Sequence, residues 1–153
     1  MRRFAKAFVG VLLLLPLPLL ANMGAEGDTE NRDANYVEGR KALEKQDWAR
    51  AIEFLGKAAQ ANNRDADTFN GLGYAYRMSG NLDAAFKNYN EALRLNPKHR
   101  AAHEYIGEAY LKANEVKKAE EHLAALQLLC APIPCEEVKD LKRAIDIYKK
   151  GKQ

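Results

Sequence analysis

The sequence predicts an all-α fold, a right-handed α-solenoid of three helix pairs followed by a C-terminal capping helix. Three observations support this prediction. Small residues recur at a spacing of 34 positions, no segment alternates with the period of a strand, and alanine and leucine are abundant while aromatic residues make up only 8% of the chain. A length of 153 residues suits one domain of this kind.

The segment from Ala66 to His99 shows the repeating unit most clearly. Gly73 and Ala85 are small where two antiparallel helices would cross, so the two backbones can approach closely. Gly80 suits the left-handed conformation that ends a first helix, and Asn81 suits the cap of a second. The complete signature of this unit is Phe69, Leu72, Gly73, Tyr76, Ala85, Tyr89, Ala92 and Pro97.

The flanking segments carry the same signature in the same register. The recurring positions are Gly39, Gly73 and Gly107, then Ala51, Ala85 and Ala119, and then Tyr76 and Tyr110. Asn114 stands where the middle unit has Gly80, and asparagine tolerates the left-handed conformation better than most residues. One unit cannot bury its apolar face alone, so the copies are expected to stack.

On these residues the chain resembles the tetratricopeptide-repeat (TPR) family over residues 32–131. The predicted repeats are 32–65, 66–99 and 100–133. Residues 135–151 form the predicted capping helix, because Val138, Leu141, Ile145 and Tyr148 make one apolar stripe while the remaining face is mostly charged.

Residues 1–25 have the layout of a secretory signal peptide. Arg2, Arg3 and Lys6 precede an apolar run of 15 residues, which is shorter than the ~20 that a membrane-spanning helix needs. Cleavage after Ala21 and cleavage after Ala25 both remain open, as does retention of the leader as an anchor. Residues 26–31 are polar and predict a flexible lead-in.

The charge of the chain argues against binding to nucleic acid. The formal net charge is +3, and the three basic residues of the leader account for all of it. The expected mature protein is therefore formally neutral and has no basic footprint. Once the signal is removed, no membrane association is expected either.

Cys130 and Cys135 are the only cysteines, and they bracket a short proline-containing linker before the capping helix. With an export signal upstream, a disulfide between them is expected; a redox or zinc role is the alternative. The ending of the chain also resembles that of small exported bacterial TPR proteins, in which a cysteine-bracketed loop precedes a final helix. The motifs that carry this resemblance are His103-Glu104-Tyr105, Cys130, Cys135-Glu136-Glu137 and Leu141-Lys142.

The sequence offers no catalytic motif, cofactor motif or metal site. His99 and His103 are four residues apart, as two metal ligands on one helix would be, but no further ligand completes a set and His103 falls at a packing position. His122 is expected on a solvated outer helix face. Trp48, the only tryptophan, is expected to pack between repeats rather than to anchor a ligand.

The family resemblance implies a concave groove, lined by the first helix of each pair, that holds an extended peptide or a helix. The groove positions would be Tyr36, Arg40, Leu43 and Glu44, then Asn70, Tyr74, Arg77 and Met78, and then Glu104, Glu108, Leu111 and Lys112. Arg40 and Arg77 would hold a carboxylate, and the aromatic residues and methionine would offer apolar contact. An ordinary solvated helix face is the alternative for each position.

The leading hypothesis is a non-enzymatic interaction module or scaffold of the bacterial envelope, exported to the periplasm, that docks a protein or peptide partner. A self-associating structural protein (a homo-oligomer) and a membrane-anchored assembly factor are the alternatives. The lysine, asparagine and arginine clamp of chaperone-binding family members is absent, because Tyr36, Arg40, Gly71, Ala101 and Tyr105 stand at those places.

Overall fold

The computed structural model describes residues 33–152 and contains seven α-helices in that range. They are α1 (Ala34–Glu44), α2 (Trp48–Ala61), α3 (Ala66–Met78), α4 (Leu82–Leu95), α5 (Arg100–Lys112), α6 (Val116–Leu129) and α7 (Glu136–Lys150). No strand occurs between residues 33 and 152, which confirms the predicted fold class of three helix pairs and a final helix. The predicted signal peptide and lead-in lie outside the described residues.

Each helix pair turns through one residue with a positive φ angle. These residues are Gln46 (58°), Gly80 (88°) and Asn114 (61°), which occupy equivalent places in the three copies. The left-handed conformation predicted for Gly80 and Asn114 is thus confirmed. Gln46 adopts it although glutamine carries no turn signal, so the packing of the pair overrides the local preference.

Side-chain caps start two of the second helices, as the sequence predicts. The Asp47 carboxylate accepts a hydrogen bond from the backbone N–H of Arg50 at 3.1 Å, and the Asn81 amide oxygen accepts one from Ala84 at 3.1 Å. Each bond satisfies one of the free donors at a helix start. Glu115 stands at the same place before α6 and makes no such bond.

Within the first two pairs, glycine lets the helices meet at close range. A β-carbon at Gly73 would lie 2.5 Å from the Tyr89 ring of α4, and one at Gly39 would lie 2.5 Å from Leu55 Cγ of α2. Ala51, Ala85 and Ala119 are fully buried. The small residues of the repeat signature therefore lie at the helix crossings, where any larger side chain would force the helices apart.

The capping helix α7 packs against both helices of the third pair. A β-carbon at Gly107 would lie 2.7 Å from Leu141 of α7, so this glycine fits the capping helix in the way that Gly73 fits Tyr89. Val138, Leu141 and Ile145 are buried with Leu111 and Leu126 in one apolar cluster. The stripe predicted for this helix is therefore its buried face.

The first helices of the pairs lie side by side: α1 contacts α3, α3 contacts α5, and α5 contacts α7. They form one continuous surface, while α2, α4 and α6 pack behind them. This arrangement places equivalent residues of successive repeats next to one another. Among residues 33–152, no helix has the length and apolar character needed to cross a bilayer.

Cys130 and Cys135 join the end of α6 to the start of α7. Their sulfur atoms are at bonding distance and their Cα atoms are 5.6 Å apart, within the usual disulfide range of about 4.4–6.8 Å. A Glu137 carboxylate oxygen lies within 4.8 Å of both sulfurs, the closest approach to a metal cluster in the described part of the chain. With the sulfurs bonded to each other, no thiolate is left there to bind a metal.

The helix crossing predicts opposite effects for two glycine substitutions. Gly73→Ala should lower the free energy of unfolding by about 1–3 kcal/mol, because the new methyl group meets the buried Tyr89 ring. Gly56→Ala in α2 is the matched control: nothing lies within 4 Å of its β-carbon, so it should raise the free energy of unfolding by about 0.5–1 kcal/mol. Urea unfolding followed by circular dichroism measures both. Equal effects of the same sign would contradict the close crossing.

Candidate functional site

A depression on the surface of the first helices is lined by Arg40, Leu43, Glu44, Asn70, Gly71, Tyr74 and Tyr105. We call it the groove. Five of these residues stand at predicted groove positions. Gly71 and Tyr105 are not among the predicted groove positions. They are 34 residues apart and so occupy equivalent positions in successive repeats. This spacing is the feature of the sequence that could have placed both on the same surface.

The floor of the groove contains a buried ion pair. The Arg77 guanidinium of α3 hydrogen-bonds the Glu108 carboxylate of α5, and only 6% of the arginine is exposed. It lies 5.2 Å from the ring centre of Tyr74 and 5.6 Å from that of Tyr105. Arg77 was expected on an open face with its charge free for a partner; this expectation is corrected, because the charge is already paired within the chain.

Aromatic rings follow one another along the groove and behind it. The ring centres of Trp48 and Tyr74 are 5.9 Å apart, those of Tyr74 and Tyr105 are 5.1 Å apart, and those of Tyr105 and Tyr89 are 6.5 Å apart. Such offset and edge contacts are favourable arrangements for aromatic rings. Trp48 packs against the following repeat, as predicted. The neighbouring rings and the ion pair hold Tyr74 and Tyr105 in place, with part of each side chain exposed.

The remaining predicted groove residues have different surroundings. Met78 is 39% exposed at the end of α3. Leu111 is buried in the cluster with α7, and Tyr36 lines a separate depression near Asp65, so neither lies in the groove described above. Leu111 was expected on an open helix face; this expectation is wrong, because α7 covers the residue. A role of these residues in binding a partner stays a prediction.

Asn70 is also more buried than an open helix face implies. Only 7% of it is exposed, and its amide oxygen has no hydrogen-bond partner among the described residues. A buried polar atom without a partner carries a free-energy cost, so an amide in this position needs an explanation.

Glu104 is the unusual carboxylate beside the groove. Burial, followed by the negative charges of Glu108, Asp140 and Glu137, raises the pKa of Glu104 to about 7. Each of these three neighbours has a basic partner: Glu108 pairs with Arg77, Glu137 with Arg100 and Asp140 with Arg143. Within residues 33–152, Glu104 makes neither an ion pair nor a hydrogen bond.

The histidines do not converge as metal ligands. His99 caps α5 by accepting a hydrogen bond from Ala102 N–H at 3.2 Å, and its other ring nitrogen lies 3.0 Å from Asp67. His103 Nδ1 lies 2.9 Å from His122 Nδ1, and His103 Nε2 lies 3.0 Å from the Pro97 carbonyl. Because a carbonyl only accepts, His103 donates there from Nε2 and accepts from His122 at Nδ1.

His122 corrects another expectation, because it is not solvated. Its ring is half-buried and stacks on Tyr110 with the ring centres 5.6 Å apart. The sequence placed it on an outer helix, but the periodic pattern of α6 does not reveal that His103 faces it across the helix pair.

These observations define a class of protein: an all-helical repeat stack with an aromatic groove on the surface of its first helices. The chain belongs to the tetratricopeptide-repeat family. Residues 66–99 match the family model described as "Tetratricopeptide repeat".

Known proteins of this family show similarity over most of the chain. Superkiller protein 3 of Saccharomyces cerevisiae is 30% identical over 141 residues, which cover 84% of this chain and 9% of that protein. The chain spans less than a third of the length of each curated relative that it matches.

Two solved structures illustrate the likeness in fold. The Yersinia enterocolitica type III secretion chaperone SycD, solved in complex with a peptide of the translocator YopD, superposes with a TM-score of 0.69 at 21% identity, covering 78% of this chain and 92% of that one. The complex of the TPR2B domain of yeast Sti1 with Hsp70 gives a TM-score of 0.70 at 18% identity, covering 76% and 94%.

The half-buried His122 predicts a loss of stability in mild acid. Burial and the nearby His103 lower the pKa of His122 to about 4, whereas an unfolded chain has the ordinary value of 6.5. Between these values the unfolded state binds more protons, so the free energy of unfolding falls as the pH drops from 6.5 towards 4. His122→Gln cannot be protonated and should lose about 1–2 kcal/mol less over this window, after allowance for the exposed part of the ring.

Urea unfolding of the wild-type protein and of His122→Gln at several pH values between 4 and 7 measures this difference. Parallel curves for the two proteins would contradict a buried neutral His122.

Proposed function

We propose that this protein is a non-enzymatic interaction module that docks a peptide or a helix of a partner protein in the groove. The observation that carries the proposal is the groove itself: two partly exposed tyrosines, Tyr74 and Tyr105, whose rings contact the guanidinium of the Arg77–Glu108 pair. Rigid aromatic rings offer large contact areas at little entropic cost, which is why they are enriched at binding sites.

The solved relatives support this proposal by analogy. SycD was solved with a peptide of its translocator, and the Sti1 domain was solved with Hsp70. At the identities given above, these likenesses bear on the fold, so the identity of a partner does not carry over. The carboxylate-clamp residues are also absent here, which makes a different partner chemistry the better expectation.

The proposal extends to the cellular location, a bacterial periplasm. Its support is the signal-like layout of residues 1–25 and the paired cysteines at the start of α7, because disulfides persist in oxidising compartments. In such a compartment the bridge would fix the linker between α6 and α7 and so help to hold the capping helix on the stack.

Site-specific photo-crosslinking tests the docking proposal. Replacing Glu44, which is exposed at the edge of the groove, with benzoylphenylalanine should give a crosslink to a partner in cells. The same replacement at Lys87, exposed on α4 behind the groove, is the matched control and should give none. Adding Tyr74→Ala should weaken the crosslink at position 44 by at least about tenfold, as expected for an aromatic anchor.

Equal crosslinking at both positions would refute groove docking. Crosslinks at position 44 that join only two copies of this chain would favour the self-associating alternative instead.

Thiol labelling of the secreted protein tests the proposed compartment. We expect protein purified from the periplasm without reductant to react with no thiol reagent until reductant is added, because Cys130 and Cys135 are bonded. Mass spectrometry of the same sample should show an amino terminus after residue 21 or 25. Complete labelling without reductant, or an intact leader in the cytosolic fraction, would reject export.

A further inference from the structure

The end of the groove next to α7 is acidic, and its charges are not fully balanced. Four carboxylates face one another there: Glu104 and Glu108 on α5, and Glu137 and Asp140 on α7. Three arginines neutralise three of them, as described above. Counting the residues from 33 to 152, one negative charge is therefore left over, on Glu104.

Glu104 is unlike an ordinary surface carboxylate because it is partly withdrawn from water. Such a group is costly to ionise without a partner, and its pKa of about 7 reflects this cost. A cation from outside the chain would relieve the cost by forming a charge-assisted hydrogen bond. A second acidic group would increase it, so the site favours a basic ligand over an acidic one.

A second, independent feature of the groove is also unsatisfied. Asn70 is more than nine-tenths buried and lines the groove beside Tyr74 and Tyr105. Its shielded amide oxygen has no hydrogen-bond partner among residues 33–152. Peptide backbones supply the donors that such an amide needs. Asn70 lines the same groove as Tyr105, which is the chain neighbour of Glu104, so the unsatisfied amide and the unbalanced charge belong to one surface.

We propose that this end of the groove binds a lysine or arginine side chain of the docked segment, with Glu104 receiving the cationic group. The aliphatic stem of the side chain lies along the Tyr105 ring, and Asn70 lies against the backbone of the same segment. The proposal rests on groove docking and specifies its chemistry: the partner carries a basic, apolar-flanked segment.

A divalent metal ion fits this site less well. Hard cations take about six oxygen ligands, and three of the four carboxylates here are already engaged with arginines. A single monovalent cationic side chain matches the single unbalanced charge. Lysine and arginine also have stems that pack on aromatic surface, which a metal ion lacks.

The site makes a prediction about pH. The groups that interact electrostatically with Glu104 are Arg77 from α3, Tyr105 and Glu108 from its own helix α5, and Glu137 and Asp140 from α7. Arg100 and Arg143 pair with Glu137 and Asp140. Burial and the neighbouring carboxylates raise the pKa of Glu104 to about 7, so its charge changes between pH 6 and pH 8. Its ionised fraction in the free protein rises from about one tenth at pH 6 to about nine tenths at pH 8, so affinity for a cation should rise about tenfold over this range.

The test uses the full mature chain and a defined probe, a fluorescent heptapeptide of alternating lysine and leucine with both ends blocked. Fluorescence anisotropy should show saturable binding that strengthens about tenfold from pH 6 to pH 8. Glu104→Gln should weaken binding at pH 8 by about tenfold or more and abolish the pH dependence. The variant should fold, because it resembles the neutral form that the wild-type site already accommodates.

Glu53→Gln is the matched control. It removes one exposed carboxylate from α2, away from the groove, and should leave the affinity unchanged. A peptide with glutamate in place of lysine should not bind. Equal losses for Glu53→Gln and Glu104→Gln, equal binding of the acidic peptide, or no saturable binding at millimolar peptide would each overturn the cation site.

The two proposals fail in different ways. A natural partner that crosslinks at position 44 and is indifferent to Glu104→Gln leaves groove docking intact and removes the cation site. If binding of the lysine peptide requires Glu104 but position 44 crosslinks to no protein, the cation site stands and docking of a partner in the groove is rejected.

Discussion

The close packing of a neighbouring helix against the glycine of each first helix is the constraint on which this structure depends. At Gly73 the absence of a side chain lets the Tyr89 ring lie directly against α3, where it is fully buried. Tyr89 in turn lies behind Tyr105, and Tyr105 covers the Arg77 guanidinium. The contact between Gly73 and Tyr89, behind the groove, therefore helps to set the position of Tyr105 in the groove. In this way a glycine that does not line the groove shapes the surface available to a ligand.

The Arg77–Glu108 pair is better explained by positioning than by stability. Taking the Arg77 charge out of water costs free energy, and its attraction to the partly exposed Glu108 roughly offsets that cost, so the pair contributes little net stability. What the pair does here is geometric. It links α3 to α5, belonging to successive repeats, and fixes the two tyrosine rings between which the guanidinium lies. A pair of aliphatic residues would fill the same space without orienting the rings.

The sequence was sufficient for the fold because the 34-residue period reports directly on backbone contacts. Gly73, Ala85 and the left-handed residues Gly80 and Asn114 act locally, so their roles can be inferred without coordinates. The site was harder, because burial there depends on side chains from different repeats. Periodicity assigns Arg77 to the correct helix face but does not show that Glu108 reaches it, nor that α7 covers Leu111. Long side chains that meet across repeats leave no spacing signal within either repeat.

The fit of Leu141 against Gly107 has a consequence for how this architecture can be enlarged. The capping helix occupies the position against α5 and α6 that the first helix of another repeat would need. A longer stack can therefore be built only by inserting units ahead of α5, where the crossing pattern continues unbroken. Extension behind α6 requires α7 to detach and expose its apolar stripe. Because α7 blocks the addition of repeats after α6, it limits how long a segment the surface of first helices can hold at this end.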